Sequence, residues 1–178
     1  VNSGYTVSTS GTGTLTVNQK GLTISGITAS NKTYNGNTSA TTDVNSAVYT
    51  GLVSGDLVSV AATGTFSDKN VGTGKTVTLS STYSGADKDN YTFTDQGSTT
   101  ANITAKSISS LTLAASNKTY DGDTSATVSV DSTDIVSGDT VTFTNSAIFD
   151  SRHVGTGKTV TVSSISISGG ADSGNYTL

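Results

Sequence analysis

Apolar residues along this chain sit at alternate positions with Thr or Ser between them, and they form no convincing helical stripe. Thr14-Leu15-Thr16-Val17, Leu22-Thr23-Ile24, Lys75-Thr76-Val77-Thr78-Leu79 and Thr140-Val141-Thr142-Phe143 all keep period two. Thr159-Val160-Thr161-Val162 and Ser164-Ile165-Ser166-Ile167-Ser168 continue it. Successive side chains of a strand point to opposite faces, so the pattern predicts half-buried strands with Thr/Ser-rich outer faces. Clusters of Gly, Asn, Asp and Ser between the runs predict turns. Only Asp131–Val136 could make a short turn of helix. The prediction is an all-β chain with six or seven short strands in each of its units.

The units are visible because the chain repeats itself. Asn31-Lys32-Thr33-Tyr34-Asn35-Gly36 returns as Asn117-Lys118-Thr119-Tyr120-Asp121-Gly122, and Val71–Thr78 returns as Val154–Thr161. Gly85-Ala86-Asp87 with Asn90-Tyr91-Thr92 returns as Gly170-Ala171-Asp172 with Asn175-Tyr176-Thr177. Two units of about 85 residues therefore stand in tandem. Residues 5–20 align with 91–106 without a gap, which divides the chain three ways. Residues 1–20 read as the trailing strand of a preceding repeat, 21–106 as a complete repeat, and 107–178 as a repeat lacking its last strand. Residues 5–18 are expected to pair with an incomplete unit, in this chain or a neighbouring molecule, or to pack in line. The spacing of strands and turns fits small immunoglobulin-like β-sandwiches stacked in an elongated rod, joined around Ala105-Lys106-Ser107. β-Grasp-like units using the turn near Asp131 are the alternative.

Composition narrows the function classes. The net charge is −4 and the nine basic residues are scattered, so no electrostatic footprint for nucleic acid is present. No apolar run approaches the roughly 20 residues that span a bilayer, so membrane insertion is not expected. Cys is absent, which excludes disulfides and thiolate metal sites. The opening Val1-Asn2-Ser3-Gly4 falls in mid-pattern without Met, as in a piece of a longer polypeptide.

Candidate chemistry is sparse. His153 is the single histidine and Asn70 stands at its counterpart, while Glu and Cys are missing altogether, so no enzyme is expected. Gly74-Lys75-Thr76 and Gly157-Lys158-Thr159 imitate the end of a phosphate-binding loop. The Gly required five residues earlier is Lys69 or Arg152, and a strand rather than a helix follows. These segments read instead as Gly-Thr-Gly hairpin turns. Asn/Asp-Gly supplies positive φ at Gly36 and Gly122, with Tyr34 and Tyr120 as packing anchors whose hydroxyls seek partners. Tyr91 and Tyr176 close each unit in the same structural sense. Two acidic pairs are duplicated, Asp56/Asp139 and Asp87/Asp172; they are the candidates for calcium, with turn formation the favoured role. No other cofactor is implied. The duplicated Lys32/Lys118 and Lys75/Lys158, beside Asn and Asp, leave a Lys–Asn or Lys–Asp isopeptide bond open.

The Lys-Thr-Tyr-Asp-Gly turn, the Val-Gly-Thr-Gly-Lys-Thr-Val entry and the closing Gly-Ala-Asp-x-x-Asn-Tyr-Thr together resemble the YDG-type repeats of large bacterial surface and secreted adhesins of the filamentous-haemagglutinin kind. The resemblance covers residues 22–178; Asn35 departs from it where the motif has Asp. It implies repeated extracellular β-domains, secreted or displayed on the bacterial surface, without enzymatic activity. The expected function is a structural stalk that projects a binding region, with neighbouring repeats as partners. The alternative is a weak binding module for glycans or for self-association in biofilm, strengthened by repetition.

Overall fold

The computed structural model describes residues 14–178. The first repeat opens with β1 (Lys20–Ser25), β2 (Thr28–Ala29), β3 (Lys32–Thr33), β4 (Ser39–Ala40) and β5 (Thr42–Asp43). It continues with β6 (Val48–Thr50), β7 (Ser59–Phe66), β8 (Gly72–Ser84), β9 (Tyr91–Thr94) and β10 (Ser98–Thr104). The second contains β11 (Lys106–Ser107), β12 (Thr112–Ala115), β13 (Val128–Asp131), β14 (Thr142–Phe149), β15 (Val160–Gly169) and β16 (Tyr176–Thr177). The chain is all-β; the only helical turns among the described residues are two 3-10 turns, Lys88–Asn90 and Ser173–Asn175.

The repeats share their pairing. β1 lies parallel to β9 with Lys20 opposite Tyr91, and β11 lies parallel to β16 with Lys106 opposite Tyr176. β7 and β8 form a long antiparallel pair, matched by β14 and β15. β2 and β5 pair as β12 and β13 do. Even the short contact Ser39–Thr65 has its equivalent in Ser125–Ile148. The parallel pairs distinguish this arrangement from the antiparallel sheets of an immunoglobulin sandwich. They arise because a strand early in each repeat meets one near its end, which requires a long crossover.

One difference separates the two repeats. In the first, a five-stranded sheet runs β3-β10-β8-β7-β4, with β10 antiparallel to β8 and parallel to β3. β10 thereby places Ala101 and Ile103 in the core beside Tyr34, Phe66 and Val77. In the second, no described strand occupies the corresponding place between Lys118–Thr119 and β15. Tyr34 is 1% exposed but Tyr120 is 58% exposed, and Val154 and Ile148 are likewise open to solvent.

Local expectations fared unevenly. The alternating Thr159–Val162 and Ser164–Ser168 segments merge in a single strand, β15, beginning at Val160. Asp131–Val136 is not helical: its start ends β13, and the rest is a turn tied by the Asp134 amide donating to Ser132 Oγ at 3.1 Å. Asp134 also accepts the Ser109 and Ser110 amides at 2.8 and 2.9 Å, so side-chain acceptors replace helical bonds there. The Gly-Thr-Gly segment of the first repeat is not the hairpin turn, which is Ser67–Val71. Two residues of β8 oppose Asn102 alone, a bulge in which Gly74 takes φ +60 and donates to Asn102 Oδ1 at 2.7 Å. Thr14–Val17 keeps the strand alternation but joins no sheet, and Leu15 and Val17 are both 96% exposed. The rest of the expected leading strand, residues 5–13, lies outside the described residues.

Candidate functional site: the junction between the repeats

Each repeat builds the same corner from Asp, Tyr and Gly. In the first, the Tyr91 hydroxyl donates to Asp56 Oδ2 at 2.5 Å and accepts the Val53 amide at 3.0 Å. Asp87 accepts the Leu57 amide at 2.8 Å and returns its own amide to Leu57 O at 3.2 Å. In the second, Tyr176 donates to Asp139 Oδ2 at 2.6 Å and accepts Val136 N–H at 2.9 Å. Asp172 accepts Thr140 N–H at 3.0 Å and donates to Thr140 O at 3.1 Å. The backbone approach is so close that a Cβ on Gly85 or Gly170 would lie 2.1 Å from Leu57 O or 2.3 Å from Thr140 O. Only glycine fits either position, at φ +114 and +103.

The second corner is completed by the first repeat. Tyr34 donates to Asp139 Oδ2 at 2.7 Å, and its ring meets Tyr176 edge-on with centroids 5.5 Å apart. Lys69 reaches Asp139 Oδ1 at 3.0 Å and Asp172 Oδ1 at 2.9 Å. Asn175 accepts the Val71 amide at 2.9 Å and donates to Asn70 Oδ1 at 3.1 Å. Asn175 is 4% exposed, whereas its counterpart Asn90 is open to solvent. The connection leaves no free linker: β10 ends at Thr104 and β11 starts at Lys106.

The electrostatics follow from this geometry. Burial pushes the Asp139 carboxyl up, but donors from Tyr176, Tyr34 and Lys69 outweigh it and hold it below the usual carboxylate range. Lys69, and then the Thr140 amide, lower Asp172. The bonds to Asp172 and Asp139 raise Lys69. Burial and the Asp139 hydrogen bond push Tyr176 up to about 12 and raise Tyr34 as well. In the first corner the hydrogen bond to Asp56, then burial, raises Tyr91. No basic side chain of the described residues pairs with Asp56 or Asp87.

The sequence-predicted residues thus fall in three places. Tyr34, Tyr176, Asp139 and Asp172 converge on the junction, with Gly36 beside them; a Cβ on Gly36 would stand 2.8 Å from Val136 Cγ1. Tyr91, Asp56 and Asp87 form the open corner at the other end of the first repeat. Tyr120 borders an open groove of about 740 Å³ in the second repeat, and Gly122, at φ +87, has nothing within 4 Å of where its Cβ would be.

The duplicated carboxylates were the calcium candidates. Asp139 and Asp172 instead face the Lys69 ammonium, which holds the place a cation would take. Among the described residues no group of three or more His, Cys, Asp or Glu could hold a metal ion. Of the isopeptide candidates, Lys32 contacts Asn35 and Asn37 at 2.9 and 3.0 Å on an exposed surface, and Lys75 and Lys158 pair with Asp68 and Asp150. None of these is a buried pair beside an acid. Sequence reasoning missed Lys69 and Asn175. The signal available was a cationic position conserved in kind within the chain, Lys69 and Arg152, facing duplicated acids.

Repeats with the same strand pairing and a shared polar junction define a tandem all-β repeat protein. The profile of the YDG domain matches residues 18–102 and again residues 104–178, and the chain belongs to the YDG domain family. Comparison with curated proteins and with solved structures finds no match.

Proposed function

We propose that this chain is a structural stalk segment of an extracellular bacterial adhesin, its repeats acting as β-sandwich-like spacers set in line to carry a binding region outward. The observation that supports this reading most directly is the junction. Lys69, Tyr34 and Asn70 of one repeat are spent on Asp139, Asp172 and Asn175 of the next, so side chains rather than a linker fix the relative orientation. A spacer needs that restriction, because a freely jointed pair would fold back on itself. The duplicated side chains are also used up in turns and packing, which leaves little for chemistry at the junction.

Small-angle scattering of the chain tests the reading. Two units in line give a maximum dimension of roughly 60–80 Å, from the ~30–40 Å expected of an 85-residue domain. A folded-back profile would count against the spacer, and saturable binding to a glycan array would favour the binding-module alternative.

A further inference from the structure

We propose that the chain assembles head to tail, the second repeat of one copy accepting residues 12–18 of another as its missing strand. This goes beyond the stalk reading and does not depend on it. The groove between Lys118–Thr119 and the start of β15 lies where the first repeat holds β10. Its lining includes Tyr120, Phe149, Val154 and Val160. The matching first-repeat residues Tyr34, Phe66 and Val77 are buried under β10.

The occupant is named by the repeat itself. Residues 12–18, Thr-Gly-Thr-Leu-Thr-Val-Asn, align with β10, Ser98–Thr104, and each is followed two residues later by the first residue of a corresponding strand, Lys20 or Lys106. Leu15 then stands for Ala101 and Val17 for Ile103, which are 5% and 1% exposed. Leu15 and Val17 project into solvent instead, two apolar side chains at the spacing of one strand face. In the register of β10, Val17 would sit opposite Lys118 on one side and Gly155 on the other, with Leu15 opposite Lys158. A strand added to an open edge gains main-chain hydrogen bonds while alternate side chains fill pockets.

A second, independent match lies beside the strand. Insertion would bring the open corner of the incoming copy, Asp56, Asp87 and Tyr91, against Tyr120, Arg152 and His153 of the accepting copy. These are the counterparts of the residues that meet at the internal junction, with Arg152 in place of Lys69. The incoming corner carries two carboxylates without a cation, and the accepting end supplies one. The contact is heterologous, so it leaves a free end on each side and permits chains rather than only closed dimers.

The test is sedimentation of the whole chain over a wide concentration range, beside the double variant Leu15→Asp/Val17→Asp. Both positions are almost fully exposed, so the variant keeps the monomer's fold, checked by circular dichroism. The parent chain is expected to form dimers and longer species, with association weakened about 100-fold or more in the double variant. Arg152→Ala should weaken it by a smaller factor, and a peptide of residues 5–20 should cap growth. A parent chain that stays monomeric at millimolar concentration would overturn the proposal. So would association that survives the double variant unchanged.

Discussion

Tyr34 and Tyr120 are the same residue of the same motif in two settings, so removing each hydroxyl isolates what the junction contributes. In Tyr34→Phe the ring stays packed and only the 2.7 Å bond to Asp139 is lost. Hydrogen bonds to charged groups contribute about 1.5–3 kcal/mol. Asp139 keeps Tyr176 and Lys69 as donors, so the carboxylate is not orphaned and the lower end applies, about 1.5 kcal/mol. Tyr120 is more than half exposed and its hydroxyl makes no hydrogen bond within the chain, so Tyr120→Phe should change stability by less than about 0.5 kcal/mol at dilution.

The readout is amide exchange at Val71, whose N–H crosses the junction to Asn175 and is protected only while the repeats stay engaged. A loss of about 1.5 kcal/mol corresponds to exchange roughly tenfold faster in Tyr34→Phe, since each 1.4 kcal/mol is a factor of ten. Equal exchange in the two variants would refute the reasoning. The Tyr34–Asp139 bond would then be incidental, and the junction would rest on apolar packing alone.

Acidity gives a further check on the same cluster. Asp139 and Asp172 are held below the usual carboxylate range, so their contribution is complete above about pH 4 and disappears as pH falls through the depressed values. Lys69 and the two tyrosines are raised, so theirs is complete below about pH 10 and is lost as pH climbs through the raised values. Exchange at Val71 should therefore be slowest, after correction for intrinsic rates, between those limits; a flat profile down to pH 2 would contradict it. Gly170→Ala should cost about 3 kcal/mol or more in urea unfolding, because its Cβ meets the Thr140 carbonyl. Gly138→Ala, with positive φ but open space, should cost only about 1 kcal/mol. Gly36→Ala should speed exchange at Val71 while Gly122→Ala leaves it alone, since only the former presses on Val136 across the junction.

Much of the local conformation could be read from the residues, because Gly and alternating β-branched side chains act over short distances. Gly36 and Gly122 do take positive φ, and Leu22 and Ile24 do face inward from β1. Partner choice was not readable. β1 pairs with β9 some seventy residues away, and nothing in Leu22-Thr23-Ile24 says so. The duplicated Asp residues marked the right place but suggested the wrong cation. A carboxylate pattern is the same whether calcium or an ammonium from a neighbouring repeat answers it. Lys69 was visible only as a residue that spoiled a nucleotide-binding loop, because its role depends on Tyr34, Asp139 and Asp172 meeting in space.

Thr14–Val17 carries the same argument further. Its alternation is as regular as that of Ser98–Thr104, yet β10 is a buried strand and Thr14–Val17 is an exposed segment without a sheet. Alternation specifies which face of a strand is apolar, while strand formation itself needs an edge to supply hydrogen bonds. The second repeat has such an edge, uncovered along the start of β15, and pays for it with exposed Tyr120, Ile148 and Val154. A sequence that encodes a strand and a fold that leaves out a strand are complementary. Whatever brings them together should bury both apolar sets at once and set the next pair of repeats at the same angle as the first.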